Sequence, residues 1–281
     1  MQWQTLVDIP DPGWRIEPTD RLIFVGSCFA ENIGSFFIAD HFQALVNPYG
    51  VMYNPVSVLH TLLGEPYEAV KESSEDLTCD VAVLTLGTNH VYEEIATNKI
   101  VDNCKKRPQR EFCERQLTVD ECAAALSEGI GTLQRRNPSV RVVLTVSPIR
   151  YRKYGYHESQ LSKAVLLLAV DKVVKTYQSA RVCYFPSYEL VLDELRDYRF
   201  YADDMLHPSA QAVSYIYDRF SETFFSDRSV AMAREWRPIR EALQHRPFHP
   251  ESEAYQKFLQ ETHRRKSEFE KRYFPTGFGL K

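Results

Sequence analysis

The 281-residue chain is long enough to bury the core of one large α/β domain, alone or with an appendage. Its 34 basic and 38 acidic side chains leave a formal charge of -4, which excludes the broad positive field that would draw nucleic acid or anionic lipid. The first twenty residues lack the basic start and apolar core of a secretory signal, and the longest apolar stretch, residues 164–170, is too short to span a bilayer, so a soluble, cytoplasmic protein is expected.

Residues 21–25 (RLIFV) form a short apolar run that enters a Gly26-Ser27-Cys28 turn, the pattern of a buried strand ending at a tight corner. Phe29, Ile33, Phe36 and Phe37 then recur at helical spacing, which places a helix directly behind Cys28. Residues 81–86 (VAVLTL) and 140–146 (VRVVLTV) read as central parallel strands, and between them residues 119–136 carry a helical apolar stripe, giving a βαβ unit. Residues 161–177 read as a helix, 182–185 as a strand and 210–225 as a helix. The alternation predicts a doubly wound parallel sheet. From residue 228 the character changes to two charged helical segments, 230–244 and 251–273. A main domain over 1–227 is therefore expected, with a helical appendage over 228–281 packed on it.

In an open α/β sheet, chemistry gathers at the carboxyl ends of the strands. The polar groups there are Ser27 and Cys28, then Gly87-Thr88-Asn89-His90, then Ser147-Pro148-Ile149-Arg150, and finally Asp204 and His207 on a loop entering a helix. A carboxylate three residues before a histidine suits triad logic: His207 takes a nucleophile's proton and Asp204 fixes its tautomer. The bland alternative is that Asp203 or Ser209 caps the helix and His207 packs its entry. His90 and His157 compete as bases but read more simply as surface or structural histidines. Arg150 and Lys163 either line a pocket or pair with Glu158 or Asp171. The six cysteines show no CxxC pair or histidine cluster, so no metal site or disulfide scaffold is indicated, and a reduced core thiol is the simplest reading for each except Cys28.

The stretch Phe24-Val-Gly-Ser-Cys-Phe-Ala30 resembles the motif from which the GSCFA family takes its name. Asn47-Pro-Tyr-Gly-Val51, Leu86-Gly-Thr88, Asn103-Cys-Lys-Lys-Arg-Pro108, Ser147-Pro-Ile-Arg150, Ser162-Lys163 and Asp203-Asp-Met-Leu-His-Pro208 extend the resemblance over residues 20–260. That family is similar to the SGNH or GDSL hydrolases, which implies a flavodoxin-like sandwich and an esterase, acetylesterase or lipase activity. On this resemblance the nucleophile turn falls at Gly26-Ser27-Cys28 and the second-block glycine at Gly50. The third block is matched in part by Gly87-Thr88-Asn89-His90, and the last block by Asp204 and His207. An ungapped register puts Cys28 in the nucleophile's place, and a shift of one residue puts Ser27 there. The oxyanion would meet a turn N–H, the Gly50 N–H and the Asn89 amide.

Three functions follow from these residues: an acyl-ester hydrolase acting on a small or carbohydrate-borne acyl group, an O-acyltransferase using the same covalent intermediate, or a binding protein that keeps the fold with a decayed site. Neither enzyme reading calls for a metal or an organic cofactor.

Overall fold

The computed structural model describes residues 4–65, 76–177, 181–249, 251–275 and 277. In chain order, β1 (Arg21–Gly26) leads into α1 (Cys28–Ala39), β2 (Gln43–Val46), α2 (Pro55–Leu63) and β3 (Val81–Leu86). The chain then forms β4 (His90–Glu94), β5 (Lys99–Val101) and β6 (Phe112–Gln116), and continues with α3 (Val119–Arg136), β7 (Arg141–Val146), α4 (Gly155–Tyr177) and β8 (Val182–Tyr184). A short α5 (Ser187–Glu189) runs into a π-helical turn, Leu190–Glu194, and α6 (Ala210–Phe224), α7 (Asp227–Gln244) and α8 (Glu253–Tyr273) complete the fold.

Five strands pair in the order β2-β1-β3-β7-β8, all parallel, with Phe24 beside Val46 and Val83. This is the flavodoxin-like doubly wound arrangement, and its strand order reverses beside β1, where such sheets place their functional crevice. Side chains alternate across the sheet. Leu22, Phe24, Val81, Val83 and Val143 enter one core with α1 and α6, while Ile23, Val25, Ala82, Leu84 and Val142 enter the other with α2, α3 and α4. Burial on both faces explains why β1, β3 and β7 are apolar apart from the entry residues Arg21 and Arg141 and the buried Thr85 and Thr145.

The βαβ unit is interrupted by a feature outside the sequence reading, a three-stranded antiparallel sheet of order β5-β4-β6 between β3 and α3. The predicted limits of α3 agree with its structure because Thr118 and Glu121 close a capping box. Helix α4 starts at Gly155, six residues before the expected position, after a 3-10 turn at Arg152–Tyr154.

Helices α7 and α8 contribute Met232, Trp236, Ile239, Phe269 and Tyr273 to the core shared with α1 and α6. Trp236 stacks on His41 at 3.9 Å and donates its indole N–H to the Ala39 carbonyl at 2.9 Å, and Arg240 bonds the same carbonyl and Asp40. The far end of α1 is thereby gripped by α7. No helix among the described residues is long and apolar enough to cross a membrane.

Candidate active site

The turn after β1 is built around Gly26. Its φ of 144° lies outside the range L side chains favour, and a Cβ there would sit 2.0 Å from the Thr85 carbonyl oxygen. This close approach lets the Ser27 amide donate to Thr85 O at 3.3 Å and to Thr85 Oγ1 at 3.1 Å. Ser27 is the N-cap of α1. Its hydroxyl accepts from the Phe29 amide at 3.3 Å, lies 3.4 Å from Thr85 Oγ1, and the residue is 0% exposed. Cys28 is the first residue of the helix and only half-buried. Burial pushes its thiol above the ordinary value. The Cys28 and Phe29 amides and the Lys163 charge act in the opposite direction, and Glu31 adds to the rise.

Lys163 occupies the space behind this turn. Reaching from α4, it is 2% exposed and donates to the carbonyls of Gly87 at 2.6 Å and Ser147 at 2.7 Å, the first residues beyond β3 and β7. No carboxylate among the described residues pairs with it. The expected ion pair with Glu158 or Asp171 is not formed; Asp171 bonds Lys175 one turn further along the helix. Burial pulls its amine down to about 7, opposed by the charge of Cys28. The neighbouring Ser162 accepts from the Asn89 amide at 3.0 Å and lies 3.1 Å from Thr88 Oγ1, so the Ser162-Lys163 pair fastens α4 to the end of β3.

Two expected oxyanion donors also bond within the fold. The Gly50 amide closes its own turn on Asn47 O at 2.8 Å, and the Asn89 side chain donates to Leu117 O at 2.7 Å, tying β4 to the loop after β6. Gly87 serves by being small: its amide and that of Thr88 both donate to Tyr53 O at 2.9 Å, and a Cβ at Gly87 would meet the Tyr151 hydroxyl at 2.3 Å and Ser27 Cβ at 3.4 Å. Tyr53 and Tyr151, which the sequence reading missed, thus wall the turn. Both follow closely on quoted motifs, Asn47–Val51 and Ser147–Arg150, and that adjacency was their signal. Burial and the charge of Cys28 raise both phenols, and the Tyr151 hydroxyl is buried without a hydrogen-bond partner among the described residues.

Asp204 and His207 form the expected pair. Asp204 Oδ1 accepts the amides of Leu206 at 2.8 Å and His207 at 3.0 Å, and Oδ2 lies 2.6 Å from His207 Nδ1. The two amides and the imidazole hold the carboxyl down at about 2. The helix behind them is capped by Ser209. Arg150 joins this loop to the end of β7: its amide donates to Leu206 O at 3.0 Å, its guanidinium to Met205 O at 3.1 Å, and the guanidinium lies over Tyr156 at 4.2 Å. Cys28 and the His207 pair therefore stand on the same carboxyl edge of the sheet. The imidazole bonds Asp204 alone among the described residues.

Beside the turn lies a cavity of about 220 Å³ whose lining includes Tyr53, Tyr151, Thr88, His90, Tyr92 and Cys104. His90 is buried, not a surface group. It stacks on Tyr154 at 3.8 Å, its Nδ1 lies 3.4 Å from Glu114 Oε1, and burial lowers its pKa against the pull of that carboxylate. His157 is exposed.

The fold and site define an α/β protein with a flavodoxin-like sheet whose switch-point edge presents a helix-terminal thiol and a carboxylate-bound imidazole. The chain belongs to the GSCFA family: the model of that family matches residues 21–76 and 61–220, and the model described as "GSCFA domain protein, C-terminal domain" matches 236–276. No curated protein matches it. Among solved structures, the chain is similar to a GDSL-like lipase from Bacteroides thetaiotaomicron (TM-score 0.44, 11% identity, 72% of this chain and 86% of that one). It is also similar to a family two carbohydrate esterase from Clostridium thermocellum in complex with cellohexaose (TM-score 0.43, 14% identity, 74% and 64%). A third similar structure is an acetyl xylan esterase from the rumen bacterium Butyrivibrio proteoclasticus (TM-score 0.40, 10% identity, 77% and 64%).

Proposed function

We propose that the chain is an acyl-ester hydrolase that works through a thioester on Cys28, with the Asp204-oriented imidazole of His207 serving the proton transfers. One observation carries this reading: at the Gly26 corner the half-buried side chain is the thiol, whereas the Ser27 hydroxyl is wholly buried and spent on capping α1. The sulfur attacks the ester carbonyl carbon, a C–S bond forms, and the C–O bond to the alcohol breaks as that oxygen takes up a proton. Water then cleaves the thioester and restores the thiol. The N-terminus of α1 supplies the positive end of a helix dipole for the developing oxyanion, with the Cys28 amide as its nearest donor. The cavity walled by Tyr53 and Tyr151 suits a small or carbohydrate-borne acyl group in size and in its mix of rings and polar atoms.

The test is intact-protein mass spectrometry of wild type, Cys28→Ala and His207→Ala after exposure to an activated ester. The acyl adduct is expected on wild type, absent from Cys28→Ala and slowed in His207→Ala. A folded wild type that takes up no acyl group, or an adduct indifferent to both substitutions, overturns the proposal.

A further inference from the structure

The Tyr151 ring is held on three sides. Its backbone amide donates to Ser159 Oγ at 3.2 Å, Lys163 Nζ lies over the ring at 5.2 Å from its centroid, and Tyr53 stands edge-on to it at 6.4 Å. The oxygen at the end of that ring is buried from water and has no hydrogen-bond partner among the described residues. A phenol so placed gives up stability that a phenylalanine would keep, so its O–H points to an acceptor that a ligand brings. Two features say where the acceptor sits. The point that a Cβ on Gly87 would occupy is 2.3 Å from Tyr151 Oη and 3.4 Å from Ser27 Cβ. The hydroxyl therefore reaches the Gly26 corner through space that only a glycine leaves open. Tyr151 also lines the cavity of about 220 Å³ together with Tyr53, Asn54 and Thr88, so the same residue borders room for a substrate.

We propose that Tyr151 is a further catalytic residue, its hydroxyl donating a hydrogen bond to the carbonyl oxygen of the ester as that oxygen becomes an oxyanion. The inference rests on the reading that an acyl group is taken up at the Gly26 corner. When the sulfur adds to the carbonyl carbon, the π pair of the C=O bond moves onto oxygen. Donors already aimed at that oxygen stabilise the tetrahedral state more than the flat ester. The Cys28 amide meets it from the helix terminus and the phenol from the Gly87 side. The phenol keeps its proton throughout, because burial holds Tyr151 above the ordinary tyrosine value, and the proton transfers remain with His207. A ring fixed by Ser159, Lys163 and Tyr53 needs no rearrangement at the moment of reaction.

The experiment compares wild type with Tyr151→Phe, which removes the hydroxyl and leaves the ring. Single-turnover acylation by an activated ester, read by intact mass, should fall about a hundredfold in maximal rate, with little change in the ester concentration at half-maximum. Thermal melts should place Tyr151→Phe at or above wild type, because the free protein loses no bond. A thionoester, with sulfur in place of the carbonyl oxygen, separates a donor from a packing effect. Sulfur is a weak acceptor, so Tyr151→Phe should slow the thionoester far less than the ester. An unchanged maximal rate for the ester, or equal slowing of ester and thionoester, overturns the inference and leaves the acyl-enzyme reading standing. A Tyr151→Phe protein that melts below wild type or fails to fold also overturns it, by giving the hydroxyl a partner inside the protein. A folded wild type that takes up no acyl group overturns the acyl-enzyme reading and this role of Tyr151 with it.

Discussion

Replacing Ser27 and Cys28 separately by alanine should produce opposite phenotypes. Ser27→Ala removes the hydroxyl that accepts the Phe29 amide and touches Thr85 Oγ1, but leaves the Ser27 amide bonds to Thr85 intact. Losing an N-cap costs about 1 kcal/mol, in a range of about 0.5–2, which in a chain of this size lowers the melting temperature by about 2–4 °C. Cys28→Ala puts the best helix former at the first helical position and trims a half-buried group, so its stability should stay within about 1 kcal/mol of wild type. Paired thermal melts and intact-mass readings after an activated ester should show Ser27→Ala melting lower with its acyl adduct retained, and Cys28→Ala melting like wild type with the adduct gone. A folded Ser27→Ala that takes up no acyl group, beside a Cys28→Ala that still does, would refute the reasoning and make serine the nucleophile.

Gly26→Ala should not yield soluble folded protein, because both the φ and the 2.0 Å approach to Thr85 O forbid a Cβ; expression followed by circular dichroism checks it. Trp236→Ala should lower stability by about 3–5 kcal/mol in urea melts, since it strips the His41 stack and opens a gap against Phe269. Lys163 also sets a pH trend. Its folded value of about 7 lies below the ordinary 10.5, so between the two the unfolded chain binds more protons and this residue's contribution to stability rises with pH through that window. The gain in urea midpoint from pH 7 to 9 should accordingly be larger in wild type than in Lys163→Met, and an equal gain would contradict the assignment.

Much of the sheet was legible because β1, β3 and β7 are buried on both faces and so carry nearly continuous apolar runs. The Gly26 corner and the Asp204-His207 pair were legible because each is local: one strained glycine, one turn. The small sheet was not, since β4 reads His-Val-Tyr-Glu-Glu and β6 reads Phe-Cys-Glu-Arg-Gln, polar strands whose stabilising partners, such as Arg115 with Glu93, lie across the ladder. The bonds made by Gly50 and Asn89 were illegible for a related reason. Whether an amide is free depends on which carbonyl meets it in three dimensions, and nothing near Asn89 in sequence announces Leu117. Lys163 was hardest, because on a helix containing Glu158 and Asp171 a lysine looks paired already, and only the fold turns it inward onto two carbonyls.

The grip of Trp236 and Arg240 on Ala39 and Asp40 makes α1 a rod clamped at both ends: twelve residues, about 18 Å, with the thiol at one tip and the C-terminal helices at the other. Pitch and rotation of that rod are fixed partly by residues some two hundred positions downstream, so the sulfur's aim is a property of the whole chain. Cutting at residue 227 would release the distal clamp, and the part of the molecule that holds every proposed reacting group would lose its alignment while keeping all of its atoms.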